Sequence, residues 1–287
     1  MSSIYHYRLS YPEIFELFFE YRPVVAEFPE WLTDLTGLTS WPGLDPPYLP
    51  VMDFDFDDIP WGPTYSQQTC YLAQHSCSFD CHLCVAPRDI QSCHHLVQTF
   101  DDGPTADTPT LLQYLHSVDQ KATFFVLGIQ AVTLPDTLRA TYREGHLIGS
   151  HTYGHRYLPS MSNYEIVAQI QWATWALNAT IGVVPKYFRP PFGGVDNRIR
   201  AIAERLGLTV VLWDLDTNDW RLNDYSRTEE EIYNQVQLWK DNDVRGIMLE
   251  HDNSYYTVAV GIEISKIIGP VHITIANCRD RNSTWYQ

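Results

Sequence analysis

Positive charge is scarce in this chain. Against 35 Asp and Glu it sets only 19 Lys and Arg over 287 residues, for a net charge of −16. Such a surface repels phosphate backbones and anionic membranes, so nucleic acid is not an expected partner. A neutral or cationic ligand, an uncharged polysaccharide for example, remains compatible with it. No apolar run approaches the ~18 residues that a helix needs to cross a bilayer. The first residues, "MSSIYHYRLSYPEIFELFFEY", carry neither a basic leading region nor an uninterrupted apolar stretch of roughly 7 to 15 residues. No ordinary secretory leader is legible there, which leaves a start downstream of one or another export route. No segment marks an obligate protein partner.

What is present suits a globular fold. Hydrophobic residues make up 45% and aromatics 14%, enough to bury about three quarters of the unfolded surface at this length. One main core is expected. Of six cysteines, Cys70, Cys77, Cys81 and Cys84 crowd into fifteen residues with little periodicity, followed by Cys93 and Cys278. Disulfides are the first reading. The competing one is a structural zinc site built on Cys81-x-x-Cys84 with Cys77, Cys93 or His82. Acceptor sequons at Asn178 and Asn282 favour an oxidising, secretory history.

Organisation changes near residue 95. Residues 1–95 hold Pro-rich stretches ("WPGLDPPYLP"), an acidic patch ("DFDFDD") and the cysteine cluster, and read as a cross-linked extension packed on the remainder of the chain. From 96 to 287, β-rich runs at 96–100, 122–127, 146–150, 186–189, 208–212, 246–249 and 271–276 alternate with helical patterns. The clearest helix opens on Ser162 with Glu165 three residues on, a capping box. The β-then-α order implies a parallel sheet, with too few strands for an eight-fold barrel. An α/β fold with a distorted or incomplete (β/α) barrel is expected.

Chemistry in such barrels gathers at the C-terminal ends of the strands. "FDDGP" closes the first run, "GSHTYGHRYL" the third, "YFRPPFGG" the fourth, "LWDLDTNDW" the fifth and "IMLEHD" the sixth. A lone aspartate there could merely cap the next helix. The repetition of ionisable side chains at successive strand ends argues otherwise. His151 and His155, four apart, can converge on one ion, and Asp101 or Asp102 can add a carboxylate. Two imidazoles and a carboxylate suit zinc, cobalt or non-haem iron alike, so ligand type alone does not choose the reaction.

In this order "TFDDGP", "HTYGH", "RPPFG", "DTNDW" and "LEH" resemble the five motifs of the NodB-like polysaccharide deacetylases, carbohydrate esterase family 4. "FPEWLT", "WPG", "DPPYLP" and "CSFDC" resemble the yeast and fungal chitin deacetylases within it. The resemblance implies metal-dependent hydrolysis of the linear amides of N-acetylglucosamine residues in chitin or its oligomers, giving chitosan and acetate. It implies a secreted or cell- or spore-wall setting. It makes Asp101 the general base, held by Arg189, and Asp102, His151 and His155 the ligands of one divalent ion, Zn2+ or Co2+. His251 becomes the general acid, polarised by Asp216 or Asp219, two candidates that remain open. Phe192 supplies a main-chain donor to the oxyanion, and Trp220 and Leu249 a pocket for the acetyl methyl.

Three positions depart from the family pattern: Phe192 stands where Tyr is usual, Thr152 for Ser and Arg156 for Pro, so the loop carrying the histidines is expected to be anchored differently. Fungal relatives also suggest a disulfide from Cys93, ahead of the first barrel run, to Cys278, after the last, with the other four cysteines pairing among themselves. Readings of other classes are a catalytically silent chitin-binding wall protein, which loss of base, acid or a ligand would favour, and a two-histidine-carboxylate oxygenase. Peptidoglycan or acetylated xylan are the alternative substrates.

Overall fold

The computed structural model describes residues 25–279 and 284–287. The N-terminal stretch read for a leader and the sequon at Asn282 lie outside the described residues.

Seven strands, β1 (Leu96–Asp101), β2 (Thr123–Val126), β3 (Leu147–Ser150), β4 (Tyr187–Phe188), β5 (Thr209–Val210), β6 (Leu215–Asp216) and β7 (Gly246–His251), form one sheet in the order β5-β4-β3-β2-β1-β7-β6. Every pairing is parallel. Between β5 and β6, the two edges, the barrel is incomplete. Helices α1 (Glu30–Thr36) and α2 (Phe79–His82) precede the sheet, and α3 (Thr108–Ser117), α4 (Gly128–Thr133), α5 (Pro135–Arg143), α6 (Asn163–Ile181), α7 (Asn197–Arg205), α8 (Glu229–Asp241) and α9 (Tyr255–Ile268) are interleaved with it. A short α10 (Ala276–Arg279) comes last.

The central strands are buried on both faces, which is why they read as apolar runs rather than alternations. Phe100 and Phe124, stacked at 5.2 Å, join Ile148, Trp172 and Leu115 in the layer beneath the helices. On the other face Val97, Phe125, Leu147, Tyr187 and Ile247 fill the floor of the half-barrel. α6 begins at the expected capping box, Ser162 N–H donating to Glu165 Oε2 at 2.7 Å, and ends at Gly182 with φ 73°.

Two expectations about strands change. Residues 271–276 form no strand. Their polar groups are taken elsewhere: Val271 C=O accepts from Lys121 N–H, Thr274 N–H donates to Asn277 Oδ1 and Ile275 N–H to Thr123 Oγ1. β1 and β7 already have both neighbours, so this segment lies across the floor, with Ile275 and Cys278 buried against Val97 and Ile247. The remaining strand is the two-residue β6, hidden in sequence inside the acidic "WDLDTNDW".

All six cysteines are bonded, as Cys70–Cys81, Cys77–Cys84 and Cys93–Cys278. Cys81-x-x-Cys84 is therefore no zinc site: its thiolates are consumed in two different bridges. Cys93 and Cys278 meet at a Cα–Cα distance of 4.5 Å because the 271–278 segment turns back under β1 instead of running on as a strand. Residue 90 is joined to the open edge of the sheet, Ile90 N–H donating to Val210 C=O at 2.9 Å and Leu212 N–H to Ile90 C=O at 2.8 Å.

Candidate active site

Strand register brings the first two ionisable groups together. β1 and β7 are neighbours with Asp101 beside His251 and Thr99 beside Leu249. Asp101 ends its strand and Asp102 comes next at φ 78°, a left-handed conformation uncommon for a residue with Cβ. That turn sends the two carboxylates to different neighbours. Gly103 is required after it, because a Cβ there would lie 2.2 Å from Asp252 Oδ2.

Asp101 is buried against an equally buried Arg189, which leaves β4 and donates from its guanidinium to Asp101 Oδ1 at 2.9 Å and to Thr99 Oγ1 at 2.7 Å. The guanidinium lies over the Phe125 ring, 4.2 Å from its centroid. Burial pushes the Asp101 carboxyl up to about 6, with the charges of Arg189 and His251 opposing.

Asp102 Oδ1 is buried and has no hydrogen-bond donor among the described residues. His155 Nε2 lies 3.2 Å from it and His151 Nε2 3.5 Å. The ring orientation of His151 is set by its other nitrogen: Nδ1–H donates to the Arg189 carbonyl at 2.8 Å, so Nε2 presents a lone pair. Burial lowers both imidazoles to about 4 and keeps them neutral. Burial would raise the Asp102 carboxyl, but His251, His151 and His155 together with an Asn253 hydrogen bond outweigh it, and it stays below the ordinary carboxylate range. An unpaired buried carboxylate oxygen facing two neutral imidazoles is a donor set in want of a cation, and three such atoms within 4.8 Å of one another fit a divalent ion.

His251 occupies the far side. Its Nδ1–H donates to Asp219 Oδ1 at 2.7 Å, and its backbone N–H to Asp219 Oδ2 at 2.7 Å. Burial disfavours its charge, yet the Asp219 charge and hydrogen bond, with Asp102 and Asp101 beyond, push its pKa up to about 10. Of the two open candidates, Asp219 is the one bonded to His251. Asp216 instead accepts from Asn218 N–H at 2.7 Å and faces the cavity, its carboxyl raised by burial.

The cavity above these groups has a volume of about 510 Å3 and is lined by Asp101, Asp102, His151, His155, Phe192, Asp216, Trp220, Leu249 and His251, with Gln67, Pro190, Trp213 and Asn253. Two neutral imidazoles and a carboxylate sit beside a second carboxylate and a third imidazole, both with raised pKa. That combination suits hydrolysis at a carbonyl.

The polysaccharide deacetylase family model matches residues 88–211. Chitin deacetylase 1 of Saccharomyces cerevisiae is 52% identical over 254 residues, spanning 88% of this chain and 83% of that protein. The chain belongs to the polysaccharide deacetylase family. Chitin deacetylase 2 of the same yeast is 50% identical, spanning 88% of this chain and 80% of that protein. Among solved structures, the chitin deacetylase of Colletotrichum lindemuthianum superposes with a TM-score of 0.60 at 30% identity, covering 70% of this chain and 96% of that one. In both fold and family this chain is a deacetylase of the half-barrel type.

Within this deacetylase the loop between the histidines is held from the N-terminal side. Arg156 donates to both Asp45 carboxylate oxygens, at 2.7 and 2.6 Å, where the family usually has Pro. Tyr153 hydroxyl donates to Pro42 C=O, and Gln169 links Gly154 N–H to Leu44 C=O. A Cβ on Gly154 would lie 2.1 Å from Leu44 O. His155 completes the loop at φ 57°, and Phe192, at φ 59°, stands 4.6 Å from its ring. Asn178 is half-buried in the last turn of α6.

The motifs in the sequence do not single out Asn253, Trp213 or Gln67. Asn253 Nδ2–H donates to Asp102 Oδ2 at 2.9 Å, and Thr257 hydroxyl donates to Asn253 Oδ1 at 3.3 Å, which fixes the amide's orientation. Its position two residues after His251 at a strand end is the signal that could have found it. Gln67 offers none, lying in the irregular cysteine-rich stretch.

Proposed function

We propose that this protein is a metal-dependent chitin deacetylase that hydrolyses N-acetyl groups of N-acetylglucosamine residues to leave chitosan and acetate. The observation that carries the reading is the convergence of the unpaired Asp102 Oδ1 with His151 and His155 Nε2, beside a separately held Asp101 and a protonated His251 in one cavity. Asp102, His151 and His155 would hold the ion, Zn2+ or Co2+ by donor type. When bound, such an ion acts as a Lewis acid on the carbonyl and lowers the pKa of a coordinated water to about 7.

The chain's own groups do the rest. Asp101, with Oδ1 tied to Arg189, keeps one oxygen to accept the proton of the attacking water. Arg189 fixes the carboxylate and favours its ionised form. The main-chain N–H of Phe192 is assigned to the developing oxyanion. His251, protonated through Asp219, donates from Nε2 to the departing sugar nitrogen, and acetate leaves. Leu249, buried on β7, and Trp220, half-exposed at the rim, shape the space for the acetyl methyl.

The substrate is carried over from the two yeast relatives, which are chitin deacetylases by name. Three disulfides fit an oxidising compartment, secreted or in the cell or spore wall, and the excess of negative charge fits an uncharged polymer. Among the described residues no helix is long and apolar enough to cross a membrane. Residues 96–287 are assigned as the catalytic domain and 1–95 as its extension, of which the described part, from residue 25, packs against it. Incubating the zinc-loaded protein with N-acetylglucosamine oligomers and measuring acetate and product mass tests the reading. Loss of one acetyl group per acetate released is expected, and intact oligomers with no acetate would refute it.

A further inference from the structure

Gln67 lines the same cavity as Asp101 and His251 although it lies far outside the five motifs. It opens a short 3-10 helix (Gln67–Ala73), and its amide has no hydrogen-bond partner among the described residues. The segment beneath it is rigidly held. Ser66 N–H donates to Thr69 Oγ1 at 2.7 Å, Tyr65 N–H donates to Pro159 C=O at 3.0 Å, and the Tyr65 hydroxyl donates to Ser78 Oγ at 3.1 Å. Cys70–Cys81 and Cys77–Cys84 staple the turn, and Phe79 anchors it through its N–H to Val195 C=O and its ring against Trp213.

These anchors are the loops after β3, β4 and β5, whereas Trp220 and Leu249 come from the β6 and β7 side. The cysteine-stapled turn thus reaches one flank of the cavity through Gln67, its one residue on the lining. A side-chain amide offers two donors and an acceptor without charge. That matches the hydroxyls and N-acetyl groups of a neutral amino-sugar chain and offers no acid or base to the reacting amide. A polar group on a pinned backbone meets its partner with little ordering cost.

We infer that Gln67 is a substrate-binding residue that sets specificity for the polymer, hydrogen-bonding the sugar chain beside the acetamide being cleaved; this rests on the proposed action on chitin. The test compares wild type with Gln67→Ala on two substrates, the N-acetylglucosamine pentamer and 4-nitrophenyl acetate, whose ester lacks a sugar. Loss of one uncharged hydrogen bond corresponds to roughly three- to tenfold in binding. The ratio of kcat/KM on the pentamer to that on the ester is expected to fall by about that factor, mainly through KM on the pentamer, with the melting temperature kept because the residue is exposed. Gln67→Asn should recover part of the ratio. An unchanged ratio in a folded variant overturns the inference alone. A wild-type protein that cleaves the ester but releases no acetate from the pentamer overturns the chitin reading and this inference with it.

Discussion

Two neighbouring aspartates meet different partners because the backbone turns between them. Asp101 stays in the β1 ladder and meets Arg189, while Asp102, at φ 78°, faces the two histidines and Asn253. Asp101→Asn is expected to keep the ion and lose about 10² to 10⁴ in turnover. His155→Ala should lose both, and metal content measured beside activity separates the two outcomes. At His251 the sign of a pH effect is fixed by Asp219. As the proposed acid His251 works while protonated, and its pairing with Asp219, which raises its pKa, places the alkaline fall of activity above the ordinary imidazole range. Asp219→Asn removes the leading support for that charge, so the alkaline limb should move to lower pH in a profile of kcat/KM. His151 and His155 stood out by their spacing, and Asp101, Asp102 and His251 through the resemblance of the strand-end motifs to those of the family. Neither could separate Asp216 from Asp219, because the choice depends on a two-residue strand and a 3-10 turn that carry no periodicity.

At the scale of elements, the legible strands were those with a full apolar run: β1, β2, β3 and β7 each span four to six residues and are buried along nearly their whole length. The 271–276 run has the same composition but no free neighbour in the sheet, so tertiary packing overrode its propensity. β6 is visible only through its pairing with Met248 and Leu249. The junction of β7 and α9 supports the proposed ion site: Ser254 caps the helix, and Thr257 in its first turn holds Asn253 toward Asp102. Partners that orient a ligand typically contribute 10- to 100-fold in metal affinity. Asn253→Ala is expected to weaken zinc binding by that order in a competition titration while far-ultraviolet circular dichroism is preserved.

Across the whole molecule, the fold carries a buried histidine away from the site whose ionisation couples to stability. His146, just before β3, accepts from Ala122 N–H through Nδ1, while its Nε2 is buried without a hydrogen-bond partner among the described residues. Burial, with a smaller push from Lys121, lowers its pKa to about 4 from 6.5. Above the unfolded value both states are neutral and the group contributes no slope. As pH falls from about 6.5 to about 4 the unfolded chain binds the proton first, and stability is lost over that window by an amount on the order of a few kcal/mol. Chemical denaturation at a series of pH values should show that decline, and His146→Asn should flatten its share of it.

The central claim is that Asp102, His151 and His155 form one cation site beside Asp101. Anomalous diffraction from zinc-soaked crystals tests it most directly. A single peak about 2.0–2.2 Å from Asp102 Oδ1 and both Nε2 atoms is the predicted result. A well-ordered site with these three side chains turned apart, and zinc bound elsewhere or not at all, would contradict it.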